Sequence, residues 1–293
     1  MRWQGGNQSG NLEDRRRMGQ VGGAAMGGGA LLLISLIFLC MGGDPGQLLQ
    51  LLQNAQVQPP GQVAQGPEER PETAEEAHTR EFAATILGFT EEVWGEQFRQ
   101  AGLNYEAPKM VLFSDRVATS CSNAPAAVGP FSCPSDRTVY LDPTFFDELD
   151  QKLGGSSAEF SQAYVIAHEI GHHVQNLLGY NRKARQRQRG RSEAEANRVS
   201  VRLELQADYL AGVWAHYGQQ KFQFIEPGDI ESAMKSANAI GDDRLQRRST
   251  GFVSPERFTH GTSAQRVKWF TMGLKTGDLS KLEEIFEMPY ERL

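Results

Sequence analysis

The sequence predicts an α+β domain, mainly helical, with a small antiparallel sheet and one transmembrane helix before it. Three observations predict this. Apolar residues recur at helical spacing over several stretches between 73 and 274. Lys109-Met110-Val111-Leu112-Phe113 and Arg137-Thr138-Val139-Tyr140-Leu141 read as short strands, the second stopped by Asp142-Pro143. From Val21 to Met41 no charged residue occurs, a run long enough to cross a bilayer once.

The 293 residues leave room for one sizeable domain with appendages. A net charge of −6 offers no global basis for holding nucleic acid, and none is expected as a partner.

Residues 1–20 read as a basic cytoplasmic tail ending near Arg15-Arg16-Arg17. Residues 21–43 read as an uncleaved span in the lipid bilayer, because Phe38-Leu39-Cys40-Met41 has no small-residue cleavage site. Arginines before the span would stay inside, so the expectation is a single-pass inner-membrane protein with its folded domain extracytoplasmic. Residues 44–71 are a Gln-, Pro- and Gly-rich linker, and residues 72–293 the folded domain.

Thr73 to Gln100 reads as a helix with Phe82, Ile86, Phe89, Val93 and Phe98 at apolar spacing and Gly88 as its weak spot. Cys121 and Cys133 frame a Gly/Pro/Ala-rich loop. Outside the cytoplasm they favour a disulfide, worth about 3 kcal/mol in the chain-entropy model. As zinc ligands they would need further Cys or His nearby, and the sequence has none at that spacing. Phe145 to Leu153 reads as a short helix ended by Gly154-Gly155. Ser156 to Glu159 resembles a capping box for the next helix, which Gly179 would stop.

That next helix carries the chemistry. His168-Glu169-Ile170-Gly171-His172 puts two imidazoles one turn apart, able to grip one Zn²⁺ ion. Glu169 lies about 100° round the helix, able to reach a metal-bound water as general base without ligating the metal. A third ligand is needed, and a helix beginning at Ser192 offers Glu204 and Asp208, again one turn apart. Glu204 would complete the ligand set, while Asp208 would accept the second ring N–H of a ligating histidine. Ala207 and Ala211 are small enough to let two helices approach.

His168-Glu169-Ile170-Gly171-His172 followed by Glu204-Leu205-Gln206-Ala207-Asp208 resembles the gluzincin pattern, H-E-x-x-H then E-x-x-A-D. Arg2-Trp3-Gln4, the segment Gly129 to Pro134 and the run Phe258 to Ser263 are similar to a bacterial family, the putative neutral zinc metallopeptidases. The resemblance implies a gluzincin-like zinc-peptidase domain acting on protein or peptide substrates. It also implies a late residue that supports the oxyanion. His260 and Arg266 are the candidates, weighed against an ordinary helix-capping role. By the same analogy, residues 137–141 would be the edge strand that binds an extended substrate. Arg182 to Arg191 carries six basic residues and reads as a solvated loop, with anionic lipid or acidic substrate residues as alternative contacts. The rival to the enzyme is a non-catalytic, zinc-stabilised assembly or interaction protein on the same membrane.

Overall fold

The computed structural model describes residues 1–17, 71–114, 116–121, 123–125 and 129–293. The span at 21–43 and nearly all of the linker lie outside these residues. None of the described helices is long and apolar enough to cross a membrane. Contacts group residues 1–15 with 73–293 in one unit, and 16–72 form a second.

The first unit is mainly helical. A long helix α1 (Ala74–Gln100) starts with a capping box in which Thr73 accepts from the Glu76 N–H and the Glu76 side chain accepts from the Thr73 N–H. Its face of Phe82, Ile86, Phe89, Val93 and Phe98 is buried, as the spacing requires.

The sheet follows: β2 (Lys109–Leu112), β5 (Phe131–Cys133) and β6 (Thr138–Leu141), joined by β1 (Leu12–Asp14) in the order β1-β2-β6-β5. A separate antiparallel pair joins β3 (Arg116–Ala118) and β4 (Asn123–Pro125). The four-stranded sheet is mixed, which corrects the antiparallel expectation. β1 and β2 are parallel, as are β2 and β6, and β5 alone runs antiparallel to its neighbour. The burial of β2 and β6 accounts for this. Val139 and Leu141 face the helices, while Val111, Tyr140 and Cys133 join a smaller cluster with Phe113 and Val117. Strands covered on both faces read as continuous apolar runs and suit parallel pairing.

Residues 1–15 are not the polar tail that composition suggests. Trp3 is buried against Phe82. Leu12 pairs with Met110, and the Arg15 N–H donates to the Leu112 carbonyl. Gly88, read as a weak spot, is where this arm crosses α1. A Cβ there would lie 2.3 Å from the Asn7 carbonyl oxygen, and the Ser9 N–H donates to Ala84 O. The eight-residue run from Gln4 to Asn11, all Gly, Asn, Gln and Ser, shows no apolar period, so the pairing is invisible until β2 is in place.

Helix α2 (Thr144–Gln151) leads to α3 (Glu159–Leu178), the metal-motif helix. The capping box expected at its start does not form: Ala158 is the N-cap, without a side-chain bond. Gly179 ends it in the left-handed conformation at φ 84°, where a side chain would be strained. The basic segment is not a loop. It forms α4 (Tyr180–Gln188), and then α5 (Glu193–Phe222) begins with the Ser192/Glu195 capping box. Helices α6 (Asp229–Ala239), α7 (Asp242–Thr250), α8 (Ser263–Thr276) and α9 (Lys281–Glu287) complete the unit.

Two glycines set how closely α5 and α8 cross. A Cβ on Gly212 would stand 2.1 Å from Phe270 O, and one on Gly273 would stand 2.1 Å from Tyr209 O. Backbone meets backbone at this crossing, and it places Asp208 of α5 beside Arg266 of α8.

Candidate metal centre

His168 and His172 project from α3 towards α5, and Glu204 of α5 meets them. His168 Nε2 lies 3.2 Å from Glu204 Oε2, and His172 Nε2 lies 3.4 Å from Glu204 Oε1. The two rings are nearly perpendicular, 4.8 Å between centroids. These three residues form a group able to hold a metal ion. Tetrahedral zinc with bonds of about 2.0–2.1 Å sets its donors about 3.3 Å apart. The two His–Glu separations are close to that value and all three ligand atoms lie within 4.8 Å of one another, and two imidazoles with one carboxylate is a donor set zinc accepts.

Both far nitrogens are already committed. His168 Nδ1 donates to Asp208 Oδ1 at 2.8 Å, the direction fixed because an ionised carboxylate can only accept. His172 Nδ1 lies 2.9 Å from Gln175 Oε1. The Gln175 amide nitrogen donates to Leu203 O and Gln206 Oε1, so its oxygen is left to accept from the ring. With Nδ1 protonated on each histidine, both lone pairs sit on Nε2, facing Glu204.

Asp208 is fully buried, yet ionised. Burial pushes its carboxyl up, but the Arg266 guanidinium and His168 outweigh that and hold it at about 2. Arg266 meets it with two bonds, Nε to Oδ2 at 2.9 Å and Nη2 to Oδ1 at 3.0 Å, and Tyr164 donates its hydroxyl at 2.6 Å. The Arg266 guanidinium is engaged by Asp208, lies 3.4 Å from His168 Nδ1 and lines the cleft. Burial also opposes the charge on Glu204, but His172 and His168 hold its carboxyl well below the usual range.

Glu169, one residue on from His168, is buried beside this group and makes no side-chain hydrogen bond among the described residues. Burial raises its carboxyl, only partly offset by His172 and His168. A proton-accepting group next to a metal position, with its lone pairs uncommitted, is what hydrolytic chemistry needs.

A profile of the family described as "Putative neutral zinc metallopeptidase" matches residues 1–285 of the chain. The chain belongs to this family. Over 285 residues it is 46% identical to "Uncharacterized protein YpfJ" of Escherichia coli K12, spanning 95% of this chain and 96% of that protein. Over 183 residues it is 48% identical to "Uncharacterized protein Rv2575" of Mycobacterium tuberculosis H37Rv, spanning 59% of this chain and 61% of that one. No solved structure matches significantly. Zinc is the metal the family description names, and the donor geometry above accommodates it.

In this family member the ligands open onto a cleft of about 730 Å³. Phe131 and Ser132 of β5 form part of one wall, and His260 lines another. Residues 137–141, expected as the edge strand, form β6 between β2 and β5, so β5 takes the end position beside the cleft. Three residues between Gly/Pro turns are too few to show a strand period.

His260 is half-exposed at the cleft, and Asp242, the first residue of α7, holds it. Asp242 Oδ2 accepts the backbone N–H groups of Thr259, His260 and Gly261 at 2.7, 2.6 and 3.1 Å, and Oδ1 lies 3.2 Å from His260 Nδ1. Burial lowers the His260 pKa, but the bond to Asp242 and the field of Glu204 raise it overall.

Sequence reasoning missed Gln175, Tyr164 and Asp242. The first two had a signal, since Gln175 follows His172 by three residues and Tyr164 precedes His168 by four, each on a ligand's side of the helix. Asp242 had none, because its partners lie 17 to 19 residues away. Cys121 and Cys133 form a disulfide with Cα atoms 5.8 Å apart, fastening the end of β5. His173, set aside as a ligand, turns to the Glu106 carbonyl at 2.7 Å.

Proposed function

We propose that the chain is a zinc-dependent endopeptidase, attached to a membrane through residues 21–43, with its domain outside the cytoplasm. The observation that carries this reading is the pairing of a three-residue ligand group with Glu169 standing beside it and outside it. Zinc, when bound, supplies Lewis acidity and brings the pKa of a coordinated water to about 7. His168, His172 and Glu204 would hold it.

Glu169 takes the water's proton on its carboxylate and later returns it to the leaving amine. His260, with Nδ1 held by Asp242, presents Nε2 to the cleft as a donor for negative charge developing on the scissile carbonyl oxygen. A peptide extended along β5 would present its backbone to that strand, binding by main chain more than by side chain. The disulfide supports an oxidising compartment for the domain.

The non-catalytic alternative calls for a fourth protein ligand closing the site. Among the described residues the ligand group has three members. The deciding experiment replaces Glu169 with Gln in the full chain. Zinc content by elemental analysis should stay at parent level while cleavage of a peptide library falls by at least 10²-fold. Cleavage at the parent rate would end this mechanism.

A further inference from the structure

Of the six basic residues at 182–191, three form ion pairs and one lines the metal cleft. Lys183 pairs with Glu283 at 2.8 Å. Arg187 pairs with Glu287, donates to Phe286 O at 3.0 Å and lies over the Phe286 ring. Arg191 lies 3.5 Å from Glu195. Arg185 is different. With Asn181, Ala184 and Gln188 it forms the face of α4 that lines the metal cleft, and it is the one basic residue of this segment to do so. It is exposed and has no hydrogen-bond or ion-pair partner among the described residues.

The other basic side chains lining the cleft are all engaged among the described residues. Arg266 is held by Asp208, His260 by Asp242, and His168 and His172 face Glu204. Among the described residues that line the cleft, Arg185 is the uncommitted positive charge. Its backbone is not loose, because Lys183, Arg187 and Gln188 tie α4 to α9 and α5; the Gln188 amide donates to Ala196 O and Ser200 Oγ, both at 3.1 Å.

Resting on the peptidase reading above, we propose that Arg185 is a specificity residue that binds a substrate carboxylate, so that the enzyme favours peptides with a negative charge on the α4 side of the cut bond. A planar guanidinium with free N–H groups matches a carboxylate in two parallel bonds. The carboxylate can come from an aspartate or glutamate side chain or from the peptide's C-terminus.

The test is a digest of a peptide library by the zinc-loaded full chain, with each peptide supplied with a free or an amidated C-terminus. Acidic residues should be enriched at one position relative to the cut, with kcat/KM about fivefold above neutral peptides, the scale of an exposed pair. Arg185→Glu should turn that preference towards Lys and Arg, and Arg185→Gln should remove it, both leaving neutral peptides cut at the parent rate. Preference that follows the free C-terminus instead assigns the carboxylate to the chain end. Cleavage without charge preference, or a preference unmoved in Arg185→Glu, overturns the proposal while leaving the peptidase reading intact. No cleavage of any member by the zinc-loaded parent overturns both.

Discussion

The Asp208 carboxylate stands between two hydrogen-bond donors, 2.8 Å from His168 Nδ1 and 2.9 Å from Arg266 Nε. It therefore belongs both to the metal site and to the α5–α8 junction. Asp208→Asn should weaken zinc binding about 10- to 100-fold, because the amide no longer holds the tautomer that points Nε2 inward. Chelator competition measures this. Removing the other partner, in Arg266→Ala, leaves a buried carboxylate unpaired and should cost about 3–5 kcal/mol in urea unfolding. If both variants left zinc affinity and stability at parent values, the network would be a bystander.

His260 and Asp242 should act as a unit on turnover. His260→Ala is expected to lower kcat about 10²- to 10³-fold with zinc retained, the scale for losing one oxyanion donor. Asp242→Asn should lower kcat less and shift the alkaline limb of the pH–rate profile to lower pH, since the carboxylate helps keep the ring protonated. A His260→Ala enzyme with parent kcat would remove His260 from the mechanism.

Helix approach supplies a prediction independent of zinc. Gly212→Ala and Gly273→Ala each thrust a methyl into the facing backbone at 2.1 Å. Neither backbone can yield without parting α5 from α8, so each should destabilise by about 3 kcal/mol or more. A control such as Gly95, half-buried but with open space around a Cβ, should show no such loss.

The buried His173 gives the fold a pH dependence of definite sign. Burial, aided by the positive field of Arg137, holds its pKa down at about 4, against 6.5 for a free histidine. Between those values the unfolded chain binds a proton that the folded chain does not. Stability from this residue is thus complete above pH 6.5 and lost as pH falls towards 4, by about 3 kcal/mol in all. His173→Gln keeps a donor for Glu106 O and does not titrate. Urea midpoints taken in chelator should fall more steeply for the parent than for this variant across that window. Parallel curves would refute the assignment.

What was legible in the sequence follows from distance along the chain. His168 and His172 share a face because of the helical period, and so do Glu204 and Asp208. Small residues at Ala207 and Ala211 pointed to the helix that could meet them. The wall of the cleft was not legible, because β5 is three residues long and α4 has a charged composition that hides its anchoring to α9. Gly212 and Gly273 looked like ordinary helix glycines until each found its partner backbone. Asp242 acquires a purpose once the loop at 259–261 folds over it.

The pairing of Leu12 with Met110 bears on where the chain can travel. Residues 1–15 and 73–293 belong to one unit, so these two segments share a compartment. One passage through a bilayer between them would strand β1 opposite its own sheet. A topology measurement therefore bears directly on the single-pass expectation drawn from hydropathy. The arginines at 15–17 and the cysteine bridge also favour opposite compartments for the same body. A thiol-blocking assay on whole cells, with reporters near residue 5 and after residue 293, would show both labels on one side.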